Sequence, residues 1–290
     1  MLKNRIVACL VIKSGIVVQS IGFKRYLPIG NPSVSVEFLN AWGIDEIIMM
    51  DIEATRFKRK PDFAMVTEVS KRNFVPLTVG GGIHNTDDIR DLVHFGADKV
   101  SINKEAVKNP LFIEKASKIF GNQCIVVSID VKLNRKDNYE VFVDSGSTPT
   151  GLDPVNWAKE VCALGAGEIL LNSIDRDGAK TGYDINIIRS VSSAVTIPVI
   201  ACGGVGHPQH ILEVFRESKV SAAAVGNYFH FMEHSPVIAK AYIRKHKINV
   251  RIDTTDKYTG VGFDENGRVE KRSEDYLERL KYEYIPKEVI

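Results

Sequence analysis

The chain has 290 residues, 44% of them apolar, enough for one large domain of about 250 residues plus an extension. Lys and Arg total 38 against 36 Asp and Glu; the net charge of +2 excludes the basic footprint of a nucleic-acid binder, and no apolar run approaches the roughly 18 residues of a membrane span. The opening "MLKNRIVACL" is too short and strand-like for a secretory signal, and Cys9, Cys124, Cys162 and Cys202 form no CxxC pair, so a reduced cytoplasmic protein with neither metal nor cofactor is expected.

The first predicted strand, near residues 5–11, ends at Val11, a place where a barrel enzyme would carry a carboxylate. Further strands are predicted near 46–51, 76–81, 98–102, 124–130, 168–173, 197–202 and 221–226, with helical segments between them. Asn109-Pro110 reads as an N-cap followed by proline at the first helical position. Phe112, Ile113, Ala116, Ile119 and Phe120 then mark one face, and Gly121 stops the helix. Asp153-Pro154 opens another helix in the same way. Residues 131–152 form one long connection, read as a hairpin above the fifth strand. Eight strands alternating with helices predict a parallel sheet closed into a (β/α)8 TIM barrel over residues 1–251. Residues 252–290 are polar and read as a C-terminal extension, with a turn at Glu265-Asn266-Gly267 and a surface helix over 273–284.

The chain repeats itself. "WGIDEIIMMD" matches "LGAGEILLNS", and "VPLTVGGGI" matches "IPVIACGGV", both offset by 122 residues, so two similar half-barrels are expected. Barrel sites are built at the C-terminal ends of the strands. Asp51, Gly81, Gly82, Asn103, Asp130, Asp177, Gly178, Gly203, Gly204, Gly226 and Asn227 fall there. Glycines after a strand let backbone N–H groups approach an anion, and two such pairs suit a ligand with two phosphates; tight turns alone are the plainer reading. Asp130 ends the apolar run "CIVVSID", which points to acid/base or ligand work; His230 reads equally well as structural. Arg5, Glu46, Lys99 and Glu168 fall at strand starts, where such charges commonly form a salt-bridge plug.

"DKVSIN", "LTVGGGI", "QCIVVSID", "PTGLD" and "GAGEILLNSIDRDG" resemble the cyclase subunit of imidazole glycerol phosphate synthase over roughly residues 1–251. The resemblance implies a two-fold repeated barrel, a bisphosphate ribonucleotide substrate, and a partner glutaminase whose ammonia passes through the barrel. It implies two catalytic aspartates, one at Asp130; the other falls on Val11, and an implied substrate-holding lysine falls on Gln19. Losing one of two acid/base partners removes about 10²–10⁴ in rate. Arg5, Glu46, Lys99 and Glu168 match the family's ammonia gate, and Asp98 matches a position that helps dock the glutaminase in a heterodimer. "CLVIKSG", "GFKRYLPIGNP" and the long tail further resemble a branch that accompanies a sugar amidotransferase in surface-polysaccharide loci. That resemblance implies ammonia supply for sugar amidation in lipopolysaccharide biosynthesis. The alternative is an active synthase subunit, a lyase of histidine biosynthesis; a scaffold that only activates the glutaminase is a third reading.

Overall fold

The computed structural model describes residues 3–134, 137–254 and 257–279. Twelve strands run in chain order: β1 (Arg5–Lys13), β2 (Ile16–Ile21), β3 (Arg25–Gly30), β4 (Glu46–Asp51), β5 (Leu77–Gly80), β6 (Lys99–Ile102), β7 (Ile125–Leu133), β8 (Tyr139–Val143), β9 (Thr148–Pro149), β10 (Glu168–Ser173), β11 (Val199–Cys202) and β12 (Ala222–Val225). Eight of them, β1, β4, β5, β6, β7, β10, β11 and β12, pair in parallel around a closed circuit, β12 meeting β1 and β7 meeting β10. Helices α1 (Pro32–Ala41), α2 (Phe63–Ser70), α3 (Thr86–His94), α4 (Lys104–Lys108), α5 (Leu111–Phe120), α6 (Pro154–Ala163), α7 (Ile185–Ala194), α8 (Pro208–Glu217) and α9 (Ser235–Lys245) lie between and after the strands. This is a (β/α)8 barrel.

Successive residues of a strand face opposite sides of the sheet, and this alternation divides the core. Val7, Cys9, Ile48, Val126, Leu170, Ile200, Cys202, Ala222 and Ala224 pack together inside the barrel. Their neighbours Ile6, Ala8, Leu10, Ile47 and Ile169 join the larger core beneath the helices. The same parity turns Arg5 and Val11 of β1, Glu46 of β4, Asp130 of β7 and Glu168 of β10 inward, charges at the lower end and the candidate acid at the upper.

Local chemistry accounts for most element ends. Asp153 caps α6 by accepting from Asn156 N at 2.9 Å, as its Asp-Pro pair suggests. The cap of α5 differs from the expected one. The helix begins at Leu111, and the Asn109 carbonyl, not its side chain, receives Phe112 N–H at 2.9 Å. Phe112, Ile113 and Ala116 are buried, whereas Ile119 in the last turn is exposed. The hairpin expected over 131–152 forms from the end of β7, β8 and β9. A second hairpin, β2 with β3, follows β1 and was not expected; the matching extensions of β1 and β7 make the two halves correspond.

Among the described residues of the extension, the segment 263–269 packs on the barrel. Phe263 and Val269 bridge across the turn at 265–267, and the Asn266 carbonyl accepts Gln209 N–H at 3.2 Å at the start of α8. Of the helix expected over 273–284, Glu274–Glu278 form a short helix α10 and Arg279 is a turn; residues 280–284 lie outside the described residues.

Lys240 of α9 is 2% exposed and donates to the Gly43 carbonyl at 2.6 Å and to Asp45 Oδ1 at 2.5 Å, while Asp45 Oδ2 accepts Ile6 N–H at 2.7 Å. This network fastens the last helix to the first strand. Removing one member of a buried pair strands the other charge, so Lys240→Met is expected to lower stability by about 3–5 kcal/mol, read from thermal melting.

Candidate active site

At the upper end of the barrel, Asp130 has an asparagine on either side. Asn103, just past β6, donates from Nδ2 to Asp130 Oδ2 at 3.2 Å and to the Ser128 carbonyl at 3.0 Å. Asn172 of β10 stands in register with Asp130 on the other side. Burial pushes the Asp130 carboxyl up to about 7; the two asparagines oppose that rise, and the charge of Asp177 adds to it. A carboxyl poised there exchanges a proton readily at neutral pH. Asn172 Oδ1 is buried without a partner. Asn172 escaped the sequence reading, although its place at the end of an apolar strand was the signal that singled out Asp130.

The β1 side of the mouth is different. Val11 lies beside Met50 of β4 and Val18 of β2, all apolar. Gln19, at the position where the resemblance implies a lysine, is 8% exposed within β2. No acid thus faces Asp130 from β1.

Three residues expected to hold ligand have another task in the loops. Asp51 pairs with Arg59 at 2.7 Å and accepts the Glu53 and Ala54 N–H groups at 3.0 and 3.2 Å. Asp177 accepts from Ser20 Oγ at 2.6 Å and Phe23 N at 3.1 Å. Asn227 clasps Ser20, accepting its N–H at 3.1 Å and donating to its carbonyl at 2.6 Å. Gly178 lets the chain pass Ser20: an added Cβ would stand 2.6 Å from its carbonyl oxygen. Asp177, Gly178 and Asn227 therefore tie the β2–β3 hairpin down over the mouth. Asn227→Ala removes two hydrogen bonds of about 1 kcal/mol each, so amide exchange across residues 16–21 should accelerate roughly tenfold or more.

The glycine pairs are placed alike in the two halves. Gly81 and Gly203 follow β5 and β11 with φ of 109° and 95°; an added Cβ would lie 2.2 Å from the Asp51 carbonyl oxygen and 2.8 Å from that of Ser173. Gly82 and Gly204 also have positive φ. Gly226, after β12, leaves room for the Cys9 carbonyl, 3.2 Å from where its Cβ would be. Burial pushes His230, after β12, down to about 4, leaving it neutral at physiological pH.

At the lower end the four inward charges close into a ring. Arg5 pairs with Glu46 at 2.5 Å and with Glu168, and Lys99 pairs with Glu46 at 2.8 Å and Glu168 at 3.0 Å. Thr78 adds a hydrogen bond to Glu46 at 3.2 Å. Burial works against both cations, but the two carboxylates outweigh it and raise Arg5 and Lys99 above their ordinary values. Asp98, exposed beside the ring, accepts Leu77 N–H at 2.8 Å. Among the described residues no group of His, Cys, Asp and Glu could hold a metal ion, and no helix is long and apolar enough to cross a membrane.

Residues 5–235 match the model of a family described as histidine biosynthesis protein. The chain belongs to that family. Relatives in the histidine biosynthesis family include a Vibrio vulnificus (strain YJ016) protein provisionally named imidazole glycerol phosphate synthase subunit hisF2, 44% identical over 268 residues, 92% of this chain and 98% of the relative. Imidazole glycerol phosphate synthase subunit HisF of Clostridium botulinum (strain Kyoto / Type A2) is 45% identical over 253 residues, 87% of this chain and all of the relative. The subunit of Bacillus cereus (strain G9842) is 44% identical over 252 residues, with 87% and full coverage. The Vibrio match is the longest of the three.

Proposed function

We propose that this chain is the ammonia-accepting barrel subunit of a glutamine-dependent synthase of the imidazole glycerol phosphate synthase type. The observation that carries the reading is the barrel axis. A closed ring of two cations and two carboxylates seals its lower end, mostly apolar side chains with the small hydroxyls Thr78, Ser101 and Ser128 line its interior, and one carboxyl tuned to about 7 stands at its upper end. Neutral ammonia crosses an apolar passage that water-borne ions avoid. The ring is where a glutaminase would deliver it.

A phosphorylated small molecule fits the mouth. The two glycine pairs lie on opposite sides, with Gly82 N–H donating to Thr55 Oγ1 at 3.3 Å, and Lys24, Arg25, Arg56, Lys58 and Lys60 stand exposed on the loops and the β3 end. The relatives are named as imidazole glycerol phosphate synthase subunits; we take the bisphosphate ribonucleotide of histidine biosynthesis as the ligand, with Asp130 as the proton-transferring group. A second reading, ammonia supply to a sugar amidotransferase for surface polysaccharide, is favoured by Val11, because cyclisation would proceed with one acid rather than two.

The test is turnover of the bisphosphate ribonucleotide with excess ammonium and no glutaminase, with Val11→Asp run alongside. Turnover by the native chain supports the histidine-type synthase. No turnover with native Val11, and gain of activity with Val11→Asp, supports a mouth disarmed for cyclisation. Neither turnover nor binding sinks the bisphosphate reading.

A further inference from the structure

The 122-residue offset between the halves carries past the glycine pairs into the helices that follow them. By that offset His84, Asn85, Asp87 and Asp88 correspond to Gly206, His207, Gln209 and His210. The same two backbone donors are satisfied in both halves, by different acceptors. In the first half Asp88 Oδ2 accepts His84 N–H at 2.9 Å, and Asn85 Oδ1 accepts Asp87 N–H at 2.9 Å. In the second, His210 Nδ1 accepts Gly206 N–H at 3.1 Å. His207 makes no side-chain cap on α8; the Asn266 carbonyl of the extension accepts Gln209 N–H at 3.2 Å in its stead. Asp88 thus ties down the stretch leaving Gly81 and Gly82, and His210 the stretch leaving Gly203 and Gly204.

Exchanging carboxylate for imidazole changes what protons do. An ionised carboxylate only accepts, a neutral imidazole accepts at one nitrogen, and an imidazolium accepts at neither. Gly206 N–H can therefore donate to His210 only while Nδ1 carries no proton. His210 is 9% exposed, and its ring centroid lies 3.7 Å from that of His207. Burial and His207 push it below the ordinary histidine value, against Glu213 of α8. His207 is pushed down by burial and by Arg268 of the extension, against Glu213, the Asn266 carbonyl and Asp264. The loop that packs on the ring at Gly182 brings Arg176 and Lys180 beside Gly204 and Gly206.

We propose that His210 is a positioning residue for the second glycine loop, residues 203–206, as Asp88 is for the first, and that it holds this loop only as the neutral imidazole. The inference rests on the phosphate reading of the glycine pairs above. Acid then loosens the second phosphate subsite and leaves the first in place.

The experiment is amide exchange and phosphate titration of the full chain, both followed by NMR, with each variant checked for unchanged melting. Opening the loop frees His210 to take up the proton that the closed loop excludes. From pH 7.5 to 5.5 the opening equilibrium at Gly206, corrected for intrinsic exchange, should grow roughly fivefold to tenfold, and that at His84 less than about twofold. His210→Asp, which puts the first half's acceptor into the second, should remove the pH dependence at Gly206. At pH 7.5 inorganic phosphate should shift the Gly203 and Gly204 amides. His210→Ala should weaken that binding by one hydrogen bond's worth, roughly fivefold, without weakening binding at Gly81 and Gly82, and His210→Asp should restore it. Equal pH dependence at Gly206 and His84, or none at Gly206, overturns the inference alone. So does a His210→Asp chain as pH-sensitive as wild type, or a His210→Ala chain that binds phosphate at Gly203 and Gly204 undiminished. A wild-type chain in which phosphate shifts neither glycine pair overturns the phosphate reading itself, and the inference with it.

Discussion

Arg5→Glu or Lys99→Glu is expected to cut glutamine-dependent turnover of the complex at least tenfold while leaving ammonium-dependent turnover within about twofold. Each cation bridges both Glu46 and Glu168, so either reversal leaves three carboxylates facing one cation at a constricted, largely buried opening. Breaking such pairs from one side costs about 3–5 kcal/mol, because the stranded charges lose their compensation. The carboxylates would then draw in cations and water, and ammonia would meet protons at the entrance. The upper mouth, at the opposite ends of the strands, is untouched, so ammonia supplied from solution reaches Asp130 as before. The check is steady-state turnover with each nitrogen source, beside thermal melting of the barrel alone. Equal loss with glutamine and ammonium would reduce the ring to a structural plug.

Asp130→Asn is expected to lower ammonium-dependent turnover about 10²–10⁴-fold, the usual contribution of a positioned proton-transfer group. With Val11 in place of a second acid, wild-type kcat/KM should show one limb, rising with pH through a midpoint near 7, rather than a bell. The variant's residual rate should be flat across that range. Stability should move in the opposite sense. Burial raises the Asp130 pKa in the folded state, so between about 4 and 7 the native chain holds a proton that the unfolded chain has lost, and stability falls as pH rises through that window. Asparagine carries no such cost. Asp130→Asn should therefore stabilise the protein by roughly 2–4 kcal/mol at pH 8, a gain that fades by pH 4. A melting difference that does not vary with pH would show that the carboxyl is not held above its ordinary range.

The barrel was legible because its strands are short, apolar and evenly spaced. All eight predicted barrel strands match observed ones to within a few residues, and the internal repeat places the glycine pairs alike. The β2–β3 hairpin was not legible: "IVVQSIGFKRYLPIG" lacks a strong turn dipeptide, and its order comes from Asp177 and Asn227 far along the chain. For the same reason the hydrogen bonds that Asp51, Asp177 and Asn227 make to the loops, from Arg59, Ser20 and the backbone, appear only in three dimensions. Asn172 shares with Asp130 a place at the end of an apolar strand, but a neutral amide carries no charge to flag it until register sets it beside Asp130. The ring of Arg5, Glu46, Lys99 and Glu168 was visible as four strand starts, but its closure into alternating pairs depends on barrel geometry.

The most direct test of passage through the barrel is isotopic. The complex would be given glutamine labelled with 15N in the amide, the bisphosphate ribonucleotide, and a tenfold excess of unlabelled ammonium, and the product nitrogen analysed by mass spectrometry. Passage through the ring and barrel predicts product carrying mostly 15N despite the excess. Product with the isotope ratio of the bulk solution would mean that ammonia escapes to solvent before it reacts, and would contradict the account.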